Sequence, residues 1–361
     1  MPPFRCPSSQ TFSDDSKKGL SKDELPGNLA QESCQGISVI TGIDLFCGAG
    51  GSSIGARRAG VEMVGAVDGW DVATRTYADN FPMAKRNVIT ARLDDESGQF
   101  LFDRVGKIDL IIASPECTHH SIARGAKLRC EESRRSGWYV MPFVDALRPR
   151  WVVLENVTPM RNWAGFDELM TALKSDYHVR LQTLNACDFG VPQSRRRLFV
   201  ICDRRRMPDE VIPLVGEQRT AADVLDPQGT WTAGLLRRPG RAAATLARAD
   251  AAIEKLGPGK DFIVVYYGSD RAGGWQPLNR PLRTLTTLDR FGLVQWQDGE
   301  PTFRMLQVPE IQRAMGVEDM ILNQGSRRDR IKLLGNGVCA PVMEHVIRSL
   351  MTSELGIRKA A

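Results

Sequence analysis

Residues 114–121, Ser-Pro-Glu-Cys-Thr-His-His-Ser, place several chemically capable side chains directly after an apolar run. A structural cysteine usually lies within such a run, whereas Cys117 lies on the polar stretch that follows it. A thiol in that position is a candidate nucleophile, although a polar loop without function would also fit. Cys117 clusters with His119, His120 and Cys130, but adjacent histidines rarely bind one ion together. We therefore predict no metal site.

A carboxyl group is the second candidate for chemistry. Glu155 directly follows the apolar residues 151–154, so we expect it at the rim of a strand and partly buried. Burial raises the pKa of a carboxyl group, which suits a proton donor or a hydrogen-bond donor.

A glycine turn forms the third candidate. Residues 48–51, Gly-Ala-Gly-Gly, join a predicted strand to a predicted helix, where the backbone can approach a ligand closely. Asp68, which lies 20 residues after Gly48, is placed to accept hydrogen bonds from ribose hydroxyls. A nicotinamide-dinucleotide site would fit equally well at this point, as would a tight turn that binds nothing. The pattern itself predicts an adenosine-type cofactor.

The elements that must position these groups follow an α/β rhythm. We predict strands at 39–46, 62–68, 107–114 and 151–157, with helical segments between them, and a closing pair of strands at 180–186 and 196–203. This alternation indicates a mostly parallel sheet covered by helices on both faces. Because ligands bind at the carboxyl ends of parallel strands, the glycine turn, Asp68, Cys117 and Glu155 should face one crevice. A thiol and a protonatable carboxyl beside such a cofactor suggest covalent activation of a ring, followed by group transfer.

Composition sets limits but identifies no function. The chain has 361 residues and a net charge of +5, which favours an anionic partner only mildly. The 8 cysteines are scattered without a C-x-x-C pair, which is typical of reduced thiols in the cytoplasm. No apolar run approaches the roughly 20 residues that cross a membrane, and the amino terminus lacks a signal-peptide core. We expect a cytoplasmic protein without a membrane segment.

The domain organisation is read from shifts in composition. We predict a flexible tail at 1–36, a cofactor-binding and catalytic domain at 37–201, and a small lobe at 202–280, which is rich in Arg, Pro and Gly. Residues 281–361 should complete that lobe and end in a helix that returns to the catalytic domain. Its apolar stripe predicts core packing, and its members are Val342, Met343, Val346, Ile347, Leu350 and Met351.

Taken in order, these motifs resemble the DNA (cytosine-5)-methyltransferase family over about residues 41–201 and 280–345. DLFCGAGGSSIG resembles the S-adenosylmethionine loop, AVDGWD the acidic ribose contact, and SPECTHHS the nucleophile loop. ENV is identical to the catalytic glutamate motif, and GVPQSRRRLFVI matches the Q-x-R-x-R signature. RPLRTLTTLDRFG and GNGV resemble the last two motifs. Each motif alone is weak, but their shared order is specific.

The resemblance implies a Rossmann-like class I methyltransferase with a small target-recognition lobe at 202–280. It implies transfer of a methyl group from S-adenosyl-L-methionine to C5 of a flipped-out cytosine in double-stranded DNA, through a bond between Cys117 and C6. Glu155, Arg195 and Arg197 would act as the other catalytic residues. A monomeric enzyme of bacterial or phage type, related to restriction-modification, is the corresponding biological setting.

The resemblance also assigns binding residues. The cofactor contacts it implies are Phe46, Gly48, Ala49, Gly50, Asp68, Gly69, Ser114, Pro115, Asn336 and Val338. The DNA contacts that we predict are Ser121, Arg124, Lys127, Arg129 and Gln193.

Several positions depart from the family pattern. Glu116 replaces the second proline of the nucleophile loop and Thr118 the following glutamine, and Val88 stands where an acidic contact to adenine is expected. Asp94 and Asp95 are candidates to replace that acid. Three other functions remain open: the same chemistry on RNA or a free cytidine nucleotide, a regulator without catalysis, and a dehydrogenase.

Overall fold

A seven-stranded sheet of order β3-β2-β1-β4-β5-β7-β6 carries the predicted motifs. The computed structural model describes residues 39–97, 105–116, 135–267 and 273–352. β1 to β5 pair in parallel, whereas β7 is antiparallel to both of its neighbours. The strands are β1 Thr41–Leu45, β2 Glu62–Asp68, β3 Val88–Thr90, β4 Leu110–Ala113, β5 Trp151–Asn156, β6 His178–Asn185 and β7 Arg196–Asp203.

Helices cover both faces of this sheet. The helices of the described residues are α1 Gly51–Arg58, α2 Asp71–Asn80, α3 Met141–Leu147, α4 Phe166–Asp176, α5 Ala243–Leu256, α6 Val308–Arg313, α7 Arg327–Asn336 and α8 Ala340–Thr352, of which α5 packs elsewhere. Apolar side chains of α1, α2 and α8 share one core cluster with alternate strand residues such as Ile112, and those of α3 and α4 share the other with Ile111. The predicted α/β, Rossmann-like class is confirmed.

Single 3-10 turns connect several of these elements. They lie at Pro82–Asn87, Trp138–Val140, Thr158–Asn162, Ala186–Phe189 and Ala221–Val224.

A second, antiparallel sheet follows the first along the chain. Its order is β10-β9-β11-β12-β8, and its strands are β8 Gly234–Leu235, β9 Phe262–Val265, β10 Trp275–Pro277, β11 Phe291–Gln297 and β12 Glu300–Met305. Both sheets lie within one unit that begins at Val39. The predicted boundaries at 201 and 280 remain predictions, and the predicted tail at 1–36 lies outside the described residues.

Strand β9 of the second sheet is buried on both faces. Its side chains alternate: Phe262 and Val264 pack against Ala249 and Ala252 of α5, whereas Ile263 and Val265 belong to the main core.

The carboxyl-terminal helix packs as its apolar stripe predicts. Five of the six predicted side chains are buried, and Met351 is partly buried against the same core. No helix in the described ranges has both the length and the apolar character needed to cross a membrane.

A buried ion pair joins the second sheet to α6. Both guanidinium nitrogens of Arg304 on β12 donate to Glu310, over 2.7 and 2.6 Å. The Glu310 carboxylate also accepts from the backbone N–H groups of Asp226 and Gln307, and Glu310 is fully buried. These four bonds compensate the burial of its charge.

We expect Glu310→Ala to lower the free energy of unfolding by about 3–5 kcal/mol, because it leaves the buried Arg304 charge without its partner. Urea unfolding followed by circular dichroism measures this change. The matched control is Glu344→Ala, which breaks the exposed pair with Arg348 and should change stability by at most about 1 kcal/mol. Equal effects of the two substitutions would contradict the assignment.

Candidate functional site

The loop after β1 turns through left-handed backbone conformations before α1 begins. Phe46, Gly48 and Gly50 have φ angles of 59°, 53° and 93°. Glycine tolerates such angles without strain, which explains the spacing of Gly48 and Gly50 in the motif. A Cβ built on Gly48 meets no atom within 4 Å, so this part of the loop borders open space.

Asp68 ties this loop to the start of α2. One carboxylate oxygen accepts from the Gly48 N–H at 2.9 Å and the other from the Trp70 N–H at 2.8 Å. Burial raises the pKa of Asp68, and the nearby Glu116 carboxylate adds to the rise. The side chain predicted to contact ribose therefore also shapes the glycine loop.

Trp70 and Lys332 flank Asp68, and the sequence analysis missed both. The Lys332 Nζ lies 4.1 Å from the centroid of the Trp70 ring, which is cation–π geometry. Lys332 lies four residues before Asn336 on α7 and opposes the rise in the pKa of Asp68. The order of the letters DGWD carries no signal for a partner 262 positions away.

The segment after α7 returns to the glycine loop. A Cβ on Gly51 would lie 2.5 Å from the carbonyl oxygen of Val338, so only glycine allows this approach. Val338 is buried and Asn336 is exposed. Two predicted contact segments, 46–51 and 336–338, thus meet at the start of α1.

Glu155, at the end of β5, is 5% exposed. Its Oε1 forms an ion pair with Arg197 Nε at 3.1 Å, yet it accepts no hydrogen bond among the described residues. Burial raises the pKa of Glu155, whereas Arg197, Arg195 and a hydrogen bond from Ser114 oppose the rise. The result is a buried carboxyl whose Oε1 could still accept a hydrogen bond from a ligand.

Asn156 connects Glu155 to the loop that follows β4. Its Nδ2 donates to the Pro115 carbonyl at 3.1 Å, and its Oδ1 accepts from the Val157 N–H at 2.8 Å. The Ser114 N–H donates to the Leu45 carbonyl at 3.2 Å. The residues that lead to Cys117 are thus held against both Glu155 and the glycine loop. We missed Asn156, although the matched letters ENV contain it.

The described ranges exclude much of the predicted nucleophile and DNA loop. Cys117, Ser121, Arg124, Lys127 and Arg129 lie outside them, as do His119, His120 and Cys130. Their roles remain predictions, as does the absence of a metal site.

Arg195 and Gln193 occupy positions inside the protein. The Arg195 guanidinium donates to the carbonyls of Leu285, Gly335 and Gly337 over 3.0, 2.9 and 2.8 Å. Gln193 is fully buried and accepts from the Leu285 N–H at 2.9 Å. Backbone groups thus engage Gln193 and the terminal nitrogens of Arg195, which is the geometry of positioning residues. The contact to substrate expected of Arg195 and the contact to DNA expected of Gln193 remain predictions.

Neither candidate for the acidic adenine contact is free of partners. The Asp94 carboxylate accepts from Glu96 N–H and from the Ser97 hydroxyl, which lowers its pKa. Asp95 forms an ion pair with Arg135 at 3.3 Å. The remaining predicted contacts, Ala49 and Pro115, are buried, and Gly69 is exposed.

The comparisons place this geometry in a known family. The family described as C-5 cytosine-specific DNA methylase matches residues 40–229. Type II methyltransferase M.AgeI of Thalassovita gelatinovora is 33% identical over 44% of this chain and 38% of its own length. M.HgiDI of Herpetosiphon aurantiacus is 34% identical over 45% of this chain and 52% of its own length. The matches thus span about half or less of these two relatives.

Solved structures share the fold at lower identity. A DNA modification methyltransferase encoded within an E. coli prophage aligns with a TM-score of 0.63 and 20% identity, over 87% of this chain and 99% of that one. The Entamoeba histolytica methyltransferase EhMeth aligns with a TM-score of 0.64 and 16% identity, over 88% and 99% of the two chains.

We expect Arg195→Lys to weaken the binding of S-adenosylmethionine at least about tenfold, because one ammonium group cannot hold three carbonyls in a planar fork. The Michaelis constant for DNA should stay within about twofold, since Arg195 is proposed to position the cofactor segment. Calorimetry and steady-state kinetics measure the two quantities. Arg196→Lys, at the exposed neighbouring position, is the matched control. A selective rise in the DNA constant would instead assign Arg195 to the target base.

Proposed function

Because the chain belongs to the family of C-5 cytosine-specific DNA methylases, we propose that it methylates C5 of cytosine in double-stranded DNA. The methyl donor in this proposal is S-adenosyl-L-methionine. The main support is the arrangement around Glu155: this buried carboxyl contacts Arg197, and its neighbour Asn156 holds the loop that leads to Cys117. The glycine loop lies beside the same residues.

The residues of the crevice fit the cofactor. The glycine loop borders open space at Gly48 and is shaped by Asp68, and Val338 approaches it from the carboxyl-terminal segment. Phe46, Trp70 and Asn336 are the accessible side chains that would hold the cofactor there. When bound, it supplies a methyl group on a sulfonium, which is activated for transfer.

The cysteine makes the ring reactive. The Cys117 thiolate adds to C6 of cytosine and forms a carbon–sulfur bond, and the electron pair of the C5–C6 double bond moves toward C5. The electron pair at C5 then bonds to the methyl carbon as the methyl–sulfur bond breaks, and the sulfur keeps that bond's electron pair as a neutral thioether. A base removes the C5 proton, and elimination restores the double bond and the thiolate.

Glu155 and Arg197 stabilise the charge that develops in this step. A protonated Glu155 donates to N3 of the ring and accepts from the exocyclic amine through its open Oε1. Arg197, which is 15% exposed at its side chain, directs its guanidinium to O2, the carbonyl oxygen on C2 of the ring. Burial raises the pKa of Glu155, which favours the protonated form that donates this bond.

The target cytosine must leave the base stack for these contacts to form. Extrusion of a nucleotide requires a few kcal/mol, which contacts to the DNA backbone must offset. Ser121, Arg124, Lys127 and Arg129 follow the nucleophile in sequence, so they are our candidates for these contacts. The protein acts as a monomer in this proposal.

The wild-type protein should form a covalent adduct with duplex DNA that carries 5-fluorocytosine, because fluorine blocks loss of the C5 substituent. Cys117→Ser should form none, as measured by denaturing gel electrophoresis and mass spectrometry. Cys187→Ser is the matched control, since that thiol contacts Asp188 and Gln218 in a 3-10 turn outside the predicted nucleophile loop. An adduct with Cys117→Ser would contradict the assigned nucleophile.

Parallel assays of labelled methyl transfer to duplex DNA, tRNA and cytidine monophosphate identify the substrate class. Transfer to RNA or to the nucleotide, without transfer to DNA, would overturn DNA as the substrate.

The pH profile reports on Glu155. Because the pKa of Glu155 is raised, the protonated carboxyl persists to a higher pH than in an ordinary glutamate. We therefore expect kcat/KM to fall as the pH rises through the pKa of Glu155. Glu155→Gln should lower kcat about 10²-fold and remove this fall. Profiles from pH 5 to 9 measure both effects, and an unchanged fall in the variant would assign it to another group.

A further inference from the structure

Asp44 is a fully buried carboxyl that the proposed mechanism does not use. It lies on β1, two residues before Phe46, and none of its surface is accessible. Its partners in the sheet are Ala66 on β2 and Ile112 on β4, both apolar and fully buried. An ionised carboxylate in such surroundings is costly unless it is compensated.

A chain of hydroxyl groups reaches one side of Asp44. The Tyr77 hydroxyl donates to Ser53 Oγ at 2.9 Å, and Ser53 Oγ donates to Asp44 Oδ2 at 2.6 Å. Asp44 Oδ1 is buried and has no hydrogen-bond partner among the described residues. Ser53 is in the first turn of α1, directly after the glycine loop. Asp44 is thus linked to the element that begins at the proposed cofactor site.

The neighbouring titratable groups do not compensate a negative charge on Asp44. Asp68 on β2 repels this charge, and the loop after β1 adds the Cys47 thiol, whose pKa is raised by burial. Burial raises the pKa of the Tyr77 hydroxyl on α2, and the charge of Arg57 on α1 opposes that rise. Burial raises the pKa of Asp44 to about 7, and the hydrogen bond from Ser53 opposes that rise.

We propose that Asp44 keeps its proton in the free protein and releases it to solvent when a cationic sulfonium cofactor binds beside the glycine loop. This inference rests on the proposed function for the identity of the cofactor. A positive charge near a desolvated carboxyl favours its ionised form, and by linkage the ionised form favours the cation. The neutral thioether product lacks that charge. The crevice therefore prefers the methyl donor over the product, and more so as Asp44 ionises.

Calorimetric titration with S-adenosylmethionine and S-adenosylhomocysteine, in buffers of different ionisation enthalpy, measures affinity and proton release. Near pH 7, binding of the methyl donor should release more protons to solvent from the wild type than from Asp44→Asn. Subtracting the two values removes the contribution from titration of the ligand itself. Its preference for donor over product should rise between pH 6 and 8, by tenfold for each unit by which binding lowers the pKa of Asp44. In Asp44→Asn this added rise should be absent.

Two further variants control the experiment. Ser53→Ala removes the hydrogen bond that lowers the pKa of Asp44, so the proton release should persist and shift to higher pH. Glu254→Gln removes an exposed charge on α5 and should leave the proton release unchanged.

Thermal unfolding gives a readout without cofactor. Because the folded-state pKa of Asp44 is raised, its ionisation destabilises the fold as pH rises through about 7. The melting temperature of the wild type minus that of Asp44→Asn should therefore fall between pH 5 and 8.

The outcomes separate the two proposals. If neither ligand binds the wild type, the proposed function fails and this inference fails with it. If both bind and the proton release matches that of Asp44→Asn, only the inference is overturned. If Asp44→Asn does not fold, an unshifted proton release in Ser53→Ala overturns it.

Discussion

The guanidinium group of Arg195 is the contact on which the geometry of the crevice depends. Arg195 directly precedes β7, the strand that carries Arg197. Its guanidinium donates to the carbonyls of Leu285, Gly335 and Gly337. Three segments far apart in sequence are thereby held at one point. Because Val338 packs directly against the start of α1, the same contact connects the segment that carries Arg197, the partner of Glu155, to the glycine loop. Five rigid donors on one side chain make such a junction possible.

Several carboxyl groups in this part of the fold are buried or partly buried. Asp44, Asp68 and Glu155 lie on the parallel strands β1, β2 and β5, and burial raises the pKa of each. Such groups favour cationic ligands when they ionise and donate hydrogen bonds when they do not. Both properties suit a crevice that is proposed to bind a sulfonium and to protonate a ring. The ionic pairs of the second sheet, such as Arg304 with Glu310, are instead fully matched.

The α/β core was predictable because its signals are local. Strands that are buried on both faces read as continuous apolar runs, and six predicted strands correspond to β1, β2, β4, β5, β6 and β7. The short β3 and the five strands of the second sheet were missed. Those strands are two to seven residues long and pair antiparallel. The segment before β9 shows no clear hydrophobic periodicity. Short strands depend on cross-strand contacts that sequence spacing does not encode.

Order and spacing are properties of the chain, so the class of the fold, the family resemblance, and the positions of Glu155 and the glycine turn at strand ends could be predicted from the residues alone. Which side chains face the crevice depends on the folded arrangement. In the folded protein, Gln193 and Arg195 are buried and contact backbone groups. Lys332 lies over the Trp70 ring, and Asp44 is buried between apolar strand residues. Burial and hydrogen-bond partners arise from segments that are distant in sequence, and these determine whether a polar residue binds a ligand or holds the protein together.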